Sequence, residues 1–406
     1  MKILFVHQNF PGQFLHLAPA LAARGHQVVG LTTETNKRPA PVPVLRYRTP
    51  PATKVEGLGK SYTEAAERGA SVARAAAQIT RDKGFVPDVV FGHGGWGETL
   101  FLREVWPRAR HLTYAEFFYN TTGCDTDFDP EFRRDGLAPR LRTSARKTHL
   151  LMALAEADAA LSPTGWQAST FPAPFRDRIS VIHDGIDTDR VCPDPAASLT
   201  LPGGRVLRSG DEVISFVNRN LEPYRGYHVF LRALPDVLAA RPEAQVVIVG
   251  GDGQSYGPSP GQGRSWKQIF LDEVGGRLDR DRVHFLGQVP YGDFLSLLRV
   301  TRVHAYLTYP FVLSWSMLEA MSAGALVVGS RTPPVEELIR DGDNGRLVDF
   351  FDIAGWSRAL TEALANPEAA TPLRTAARKT IVDGYDLKRH CLPRLIDFVE
   401  SRGAAG

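Results

Sequence analysis

A chain of 406 residues with 43 % hydrophobic and 23 % charged side chains reads as a globular protein of two or three domains, because one core rarely serves so long a chain. The net charge of +3 is too small to point to nucleic acid, and no apolar run reaches the length of a membrane span. Cys124, Cys192 and Cys391 are odd in number and far apart, which excludes a disulfide framework or a metal-ligand spacing and fits reduced thiols in a cytoplasmic chain.

The N-terminal run MKILFVHQNFPGQF reads as a strand and a turn rather than a signal peptide. Short apolar runs then predict strands at 3–6, 28–31, 42–47, 89–92, 112–116, 159–162 and 179–182, with helices between them, the longest over 61–82. Alternation of this kind predicts a parallel sheet covered by helices on both faces. His93, set among Gly92, Gly94 and Gly95 in VVFGHGGWGE, and Glu116, in TYAEFFY, fall at predicted strand ends. Asp125, Asp127 and Asp129 spell two overlapping D-x-D triplets, which read as a turn. Arg133, Arg134, Arg140, Arg142, Arg146 and Lys147 crowd the next stretch. That cluster is either a solvated helical face or a site for an anionic acceptor or membrane surface.

Residues 191–210, with CPDPAASLTLPGG, are rich in Pro, Gly and Ser and read as a linker. Beyond it the alternation restarts, with strands predicted at 213–217, 246–249, 283–286, 303–307, 326–329 and 346–348, and a last amphipathic helix over 387–402. Arg219 and Arg225 lie in a loop directly after the first of these strands and before a helix over 226–240, an arrangement suited to a diphosphate because a guanidinium fork matches phosphate oxygens. Gly251 and Gly253 follow the next strand and let backbone approach a ligand. Ser314 is placed to cap, and Gly324 to end, a largely apolar helix that carries one acid, Glu319. The N–H groups at the start of that helix point beyond the carboxyl ends of the strands, where open α/β sheets bind phosphate-bearing ligands.

The order R-x5-R-G, IVGGDG, HFLGQV, LEAMSAGALVVGS, PVEELI and DGDNGRLVD, with VIHDGIDTDR before the linker and PGQFLHLAPALAARGHQVVGLT near the start, resembles the retaining glycosyltransferases of family 4. The resemblance covers nearly the whole chain. It implies the GT-B fold, α/β with two doubly wound Rossmann-like domains facing a cleft: 1–190 for the acceptor, with helix 386–406 packing back on it, a linker at 191–210, and 211–385 for a nucleotide sugar. It also implies transfer of a hexose-type sugar from a UDP- or GDP-linked donor to an acceptor hydroxyl on a glycan, a lipid-linked or a small molecule. By resemblance, Arg219 and Arg225 hold the donor diphosphate, Glu319 accepts the ribose hydroxyls, and His93 lies near the reacting sugar. Gly12, Gly251, Gly253, Gln288 and the backbone of Val312, Leu313 and Ser314 complete the donor contacts. The first acid of the family's E-x7-E motif falls on Phe311. With no D-x-D in a suitable strand-end context in the donor half, neither metal nor cofactor is expected, and the two arginines are left to stabilise the leaving diphosphate. The expected setting is cytoplasmic, with the basic segment Arg133–Lys147 in peripheral contact with the inner membrane face. Two alternatives stay open, a nucleotide-sugar epimerase of the same fold and a non-catalytic nucleotide-sugar-binding partner of another transferase.

Overall fold

The computed structural model describes residues 1–261 and 263–401. Seven strands form the first sheet: β1 (Lys2–Val6), β2 (Gln27–Thr33), β3 (Val44–Tyr47), β4 (Val89–His93), β5 (Arg110–Tyr114), β6 (Ala159–Ser162) and β7 (Ile179–Val181). Their order is β3-β2-β1-β4-β5-β6-β7, and every pairing is parallel. Parallel strands covered on both faces need apolar side chains at successive positions. In β1, Ile3 and Phe5 enter a core with Phe14, Phe91 and Phe398, while Leu4 and Val6 meet Val72, Ala76 and Ile79 of the helix Lys60–Lys83 on the other face.

A short antiparallel hairpin follows, β8 (Ser198–Thr200) with β9 (Val206–Arg208), inside the segment expected as a linker. That expectation is corrected here. Leu199, Leu201 and Leu207 are buried against Val213 and Val247, and the Pro-Gly-Gly between them is the hairpin turn, so turn residues flanked by alternating leucines were the decisive signal. The second sheet comprises β10 (Val213–Asn220), β11 (Gln245–Gly251), β12 (Val283–Gly287), β13 (Val303–Tyr306), β14 (Leu326–Ser330) and β15 (Arg346–Val348), in the order β12-β11-β10-β13-β14-β15. Each sheet reverses its strand order once, between β1 and β4 and between β10 and β13. Ligands of doubly wound sheets bind outside the carboxyl ends of the strands at such a reversal.

The chain forms two compact units, Met1–Gly185 with the chain from Lys388 onward, and Ile186–Leu387. In the second unit Ile186 and Asp386 bridge in parallel, with Ile186 N–H donating to Tyr385 O at 2.8 Å. The last helix is shorter than expected: a π-turn over Leu387–Cys391 precedes an α-helix over Leu392–Glu400. Pro393 explains the break, since a proline fits the first turn of a helix but not its interior. Leu395, Phe398 and Val399 join the core of the first unit, and Glu400 binds Arg24 and His26 there. Residues 402–406 of the expected terminal helix lie outside the described residues. Cys124 and Cys391 are buried, and no disulfide joins the three cysteines. Among the described residues no helix is long and apolar enough to cross a membrane.

Candidate functional site

At the reversal of the first sheet, β1 delivers His7 and β4 ends on His93, both buried. The N–H of Asn9 donates to His7 Nδ1 at 2.9 Å, so the proton of the neutral ring sits on Nε2, which donates to Gln13 Oε1 at 3.0 Å. Gln13 Nε2 donates in turn to Glu116 Oε1 at 2.9 Å. His93 follows the same logic. Gly95 N–H donates to its Nδ1 at 3.1 Å, so the Nε2 proton faces Glu116 Oε2 at 3.5 Å. The His93 ring and the Gln13 amide thereby direct N–H groups at a single carboxylate, and His7 orients that amide. Glu116 was expected to end a strand, but β5 stops at Tyr114 and Glu116 lies on the following loop, part-exposed.

Gly12 is fixed in this arrangement by geometry. Its φ is +49°, and a Cβ there would fall 2.6 Å from His7 Nε2, so only glycine lets the loop close over the imidazole. Trp96 stacks on His93 with ring centroids 4.3 Å apart, and Tyr114 stacks on its other side at 5.5 Å while donating to both oxygens of Asp184 at 3.0 and 3.1 Å. Glu98 lies fully buried, with Tyr47 Oη donating to it at 3.0 Å. Burial raises its pKa against the opposing charge of Arg68 and the hydrogen bond from Tyr47.

At the reversal of the second sheet Arg225, in the turn Pro223–Arg225 after β10, is buried. Its Nη1 donates to Thr308 Oγ1 and to Val312 O, both at 2.8 Å. The guanidinium lies 5.1 Å from the ring centroid of Tyr256 and 5.7 Å from that of Phe311, and Phe311 meets Tyr256 and Tyr224 at 4.8 and 5.6 Å. Aromatic walls therefore occupy the place expected of the first motif acid. Burial works against the charge of Arg225, yet its pKa is raised, with Tyr306, Tyr256 and Glu222 outweighing burial. Arg219, by contrast, is exposed at the end of β10, so the two arginines do not form one matched fork.

Glu222, between them, is buried and accepts the N–H groups of Ser255 and Tyr256 at 3.3 and 3.2 Å, which ties the loop after β11 to that after β10. Asn220 reinforces the tie by accepting from Gly253 N at 3.2 Å and donating to Ser255 Oγ at 2.6 Å. A Cβ on Gly251 would lie 2.6 Å from Asn220 Oδ1 and 3.7 Å from Gln288 Nε2, so Gly251, Gly253 and Gln288 are gathered at one spot.

The helix Trp315–Ala323 is bounded as its sequence predicts, with Ser314 Oγ accepting from Ser316 N and Gly324 left-handed at the end. Glu319 is buried within it, and burial raises its pKa, against which Tyr291 and Arg190 act. Tyr291 Oη donates to Glu319 Oε1 at 2.7 Å, and Arg190 lies 4.7 Å over the Tyr291 ring. Ser314 N–H, expected to face the donor, donates to Tyr306 Oη at 2.8 Å, and the Val312 carbonyl is taken up by Arg225. The Ser314 N–H is thus engaged inside the protein, a correction to its expected availability.

The residues missed by sequence reasoning are His7, Gln13, Glu222, Asn220 and Tyr291. His7 and Glu222 carried a readable signal, a polar side chain just after a predicted strand. Tyr291 had none, because its partner is 28 residues away. The D-x-D aspartates form a helical turn at Asp125–Phe128, where Asp127 accepts from Gly123 N at 3.2 Å and Asp129 from Glu131 N at 2.9 Å.

Comparison with known proteins matches residues 24–191 to the glycosyl transferase family 4 group and residues 204–380 to the glycosyl transferases group 1. The D-inositol 3-phosphate glycosyltransferase of Mycolicibacterium smegmatis is 28 % identical over 88 % of this chain and 78 % of its own length. The Streptomyces coelicolor enzyme of the same name, 27 % identical, matches over 50 % of this chain and only 46 % of its own length. A GDP-mannose-dependent alpha-(1-6)-phosphatidylinositol monomannoside mannosyltransferase of M. smegmatis is 25 % identical over 62 % of this chain and 64 % of its own. Among solved structures, sucrose-phosphate synthase from Thermosynechococcus elongatus superposes with a TM-score of 0.73 at 18 % identity over 97 % of both chains. Anabaena HepE in complex with UDP-glucose superposes with 0.69 at 15 % identity, over 99 % of this chain and 100 % of its own. At such identities the superpositions speak for the fold alone.

Proposed function

The chain belongs to the glycosyl transferases of family 4 and group 1, and from that premise we propose that it moves a hexose from a nucleoside diphosphate donor to an acceptor hydroxyl with retention and without a metal. The observation that carries this reading is that Arg225 and Glu319, both buried, lie on elements that follow the two adjacent strands of the second sheet's reversal, one in the turn after β10 and the other on the helix after β13. A guanidinium stays ionised at any working pH, so Arg225 presents a permanent positive field to the charge that develops on a leaving diphosphate. Arg219, exposed at the same strand end, is the group free to swing onto phosphate oxygens. Glu319 accepts ribose hydroxyls, with Tyr291 fixing its orientation.

UDP-glucose in HepE and GDP-mannose in the name of the mannosyltransferase relative support a UDP- or GDP-hexose as donor. In the first unit Glu116, fed by Gln13 and His93, takes a hydrogen bond from the acceptor hydroxyl, while the leaving phosphate itself assists deprotonation. An inositol phosphate or a phosphatidylinositol mannoside, as in the names of relatives, would bring an anionic acceptor. The segment Arg133–Lys147 suits such an acceptor or the membrane that presents one.

The test is a thermal-shift screen with UDP, GDP, ADP and their sugars, followed by product NMR. A ligand at 100 times its dissociation constant adds about 2.7 kcal/mol, and the anomeric coupling of the product reports retention. No shift with any nucleotide would refute donor binding. A second reading, a nucleotide-sugar binder without turnover, is favoured by one observation, the aromatic packing of Phe311 where the family has an acid. Binding without product on any acceptor would select it.

A further inference from the structure

The turn that follows β4 in the first unit is held by side chains from three other elements. His93 ends the strand, and a single short turn, Gly94–Trp96, comes next. Gly95 N–H fixes the tautomer of His93, and Trp96 lies against the His93 ring while meeting His7 edge-on at 5.1 Å. His149, on the helix Thr148–Ala155, donates from Nε2 to Gly95 O at 3.0 Å. Arg68, on the helix Lys60–Lys83, donates from Nη1 to Trp96 O at 3.2 Å. The third element is β3, through Tyr47 and Glu98.

Gly97 brings the chain close to the helix Lys60–Lys83. Its φ is +96°, and a Cβ there would fall 2.4 Å from Ala65 O, while a Cβ on Gly69 would fall 2.7 Å from Gly97 O. Backbone therefore rests on backbone, which glycine at both positions allows. Glu98 follows directly and is fully buried, as is Tyr47 at the end of β3. Tyr47 Oη needs an acceptor in such a place, and Glu98 Oε1 supplies it. The other oxygen, Oε2, is buried with no hydrogen-bond partner among the described residues. An ionised carboxylate would have a full charge and two oxygens to satisfy, and one phenol is too little for that. An un-ionised acid asks far less of its surroundings, and burial favours it too.

We propose that Glu98 is a positioning residue for the transfer reaction: as an un-ionised acid bonded to Tyr47 it locks the turn whose Gly95 N–H sets the His93 tautomer and whose Trp96 backs the His93 ring. The inference rests on the reading of His93 and Glu116 given above. Glu98 acts through Gly95 and Trp96, so its loss displaces the His93 N–H that faces Glu116 and leaves the donor site of the second unit untouched. The charged and titratable groups acting on Glu98 are Arg68 on the helix Lys60–Lys83, Tyr47 on β3 and His93 on β4. His93 is neutral in the tautomer set by Gly95, and Arg68 is turned to Trp96 O.

Three measurements on the full chain test the proposal. The infrared difference spectrum of wild type minus Glu98→Gln near neutral pH should show the C=O band of an un-ionised carboxylic acid, shifted in heavy water, and no carboxylate band. Long-range proton–nitrogen NMR should find the His93 ring in one tautomer in wild type and in Glu98→Gln, whose amide keeps the shape and the neutrality, and in a mixture in Glu98→Ala. Glu98→Ala should lower kcat by about ten- to a hundred-fold, the scale of a displaced group, with donor affinity unchanged, and Glu98→Gln should restore most of the loss. The infrared band and the ring signals need no donor or acceptor, so failure of the positioning and failure of the transferase reading are seen separately. They also hold for Glu98→Gln whether or not Glu98→Ala folds. A carboxylate band, a Glu98→Gln variant with the ring signals of a tautomer mixture, or a folded Glu98→Ala that keeps both the tautomer and kcat would overturn the proposal.

Discussion

At the reversal of the first sheet, one imidazole and an amide turn N–H groups toward one part-exposed carboxylate, whereas at the reversal of the second a guanidinium is sealed among aromatic walls. The strand order around the two points is the same, so topology does not decide their chemistry. The side chains just past the strands do. In the first unit a negative group is left where a hydroxyl can reach it. In the second a positive group is held in a low-dielectric setting, where its field is felt most strongly.

If the carboxylate of the first unit acts on the acceptor, Glu116→Gln should lower turnover by about 10²-fold, the low end of what a positioned acid or base contributes. Steady-state kinetics with saturating donor checks it, and a change confined to donor KM would break the contrast. Arg225→Ala should weaken nucleoside diphosphate binding by roughly ten- to a hundred-fold, from the 1.5–3 kcal/mol of a charge-assisted hydrogen bond. It should also lower the melting temperature, because Thr308 Oγ1 and Val312 O lose their donor. Arg219→Ala, at an exposed position, should weaken binding with the melting temperature unchanged. Calorimetry and melting on the pair would show whether the buried cation differs from the exposed one.

Acidity should affect stability in both units. Burial lowers His183 in the first to about 4 and His304 in the second to about 3. An unfolded histidine titrates near 6.5, so below that pH the unfolded chain binds more protons and stability falls as pH falls through the two folded values. Melting temperatures measured from about pH 7.5 to 4 should decline along that sign, and His304→Gln should flatten the decline. The smallest expected effect is that of chelation. EDTA should leave turnover unchanged, since Arg225 and Arg219 are assigned the charge of the diphosphate; activity lost to EDTA and restored by a divalent cation would refute that assignment.

The sequence was legible where one element carries its own signal. The helix bearing Glu319 is bounded by Ser314 and Gly324 as read, because a cap and a left-handed glycine act within a few residues of the helix they end. Strands of the parallel sheets were legible as apolar runs for the same reason. The hairpin at 198–208 was hidden by its composition, since proline and glycine mark a tight turn as readily as a linker. The network around Glu116 and the bond from Tyr291 to Glu319 were not legible, because they join residues that only the strand order brings together. The aromatic packing of Phe311 lies between these cases. Its departure from the family motif was visible, but the cage of Tyr224 and Tyr256 that accounts for it was not.

Titration of UDP and GDP into Glu319→Gln and Glu116→Gln, with turnover measured on the same preparations, tests the division between the two units most directly. Glu319→Gln should lose donor affinity about ten-fold or more, because the ribose hydroxyls exchange a charged acceptor for a neutral one. Glu116→Gln should bind the donor as wild type does and turn over poorly. Unchanged donor affinity in Glu319→Gln, or an equal loss in Glu116→Gln, would contradict the account.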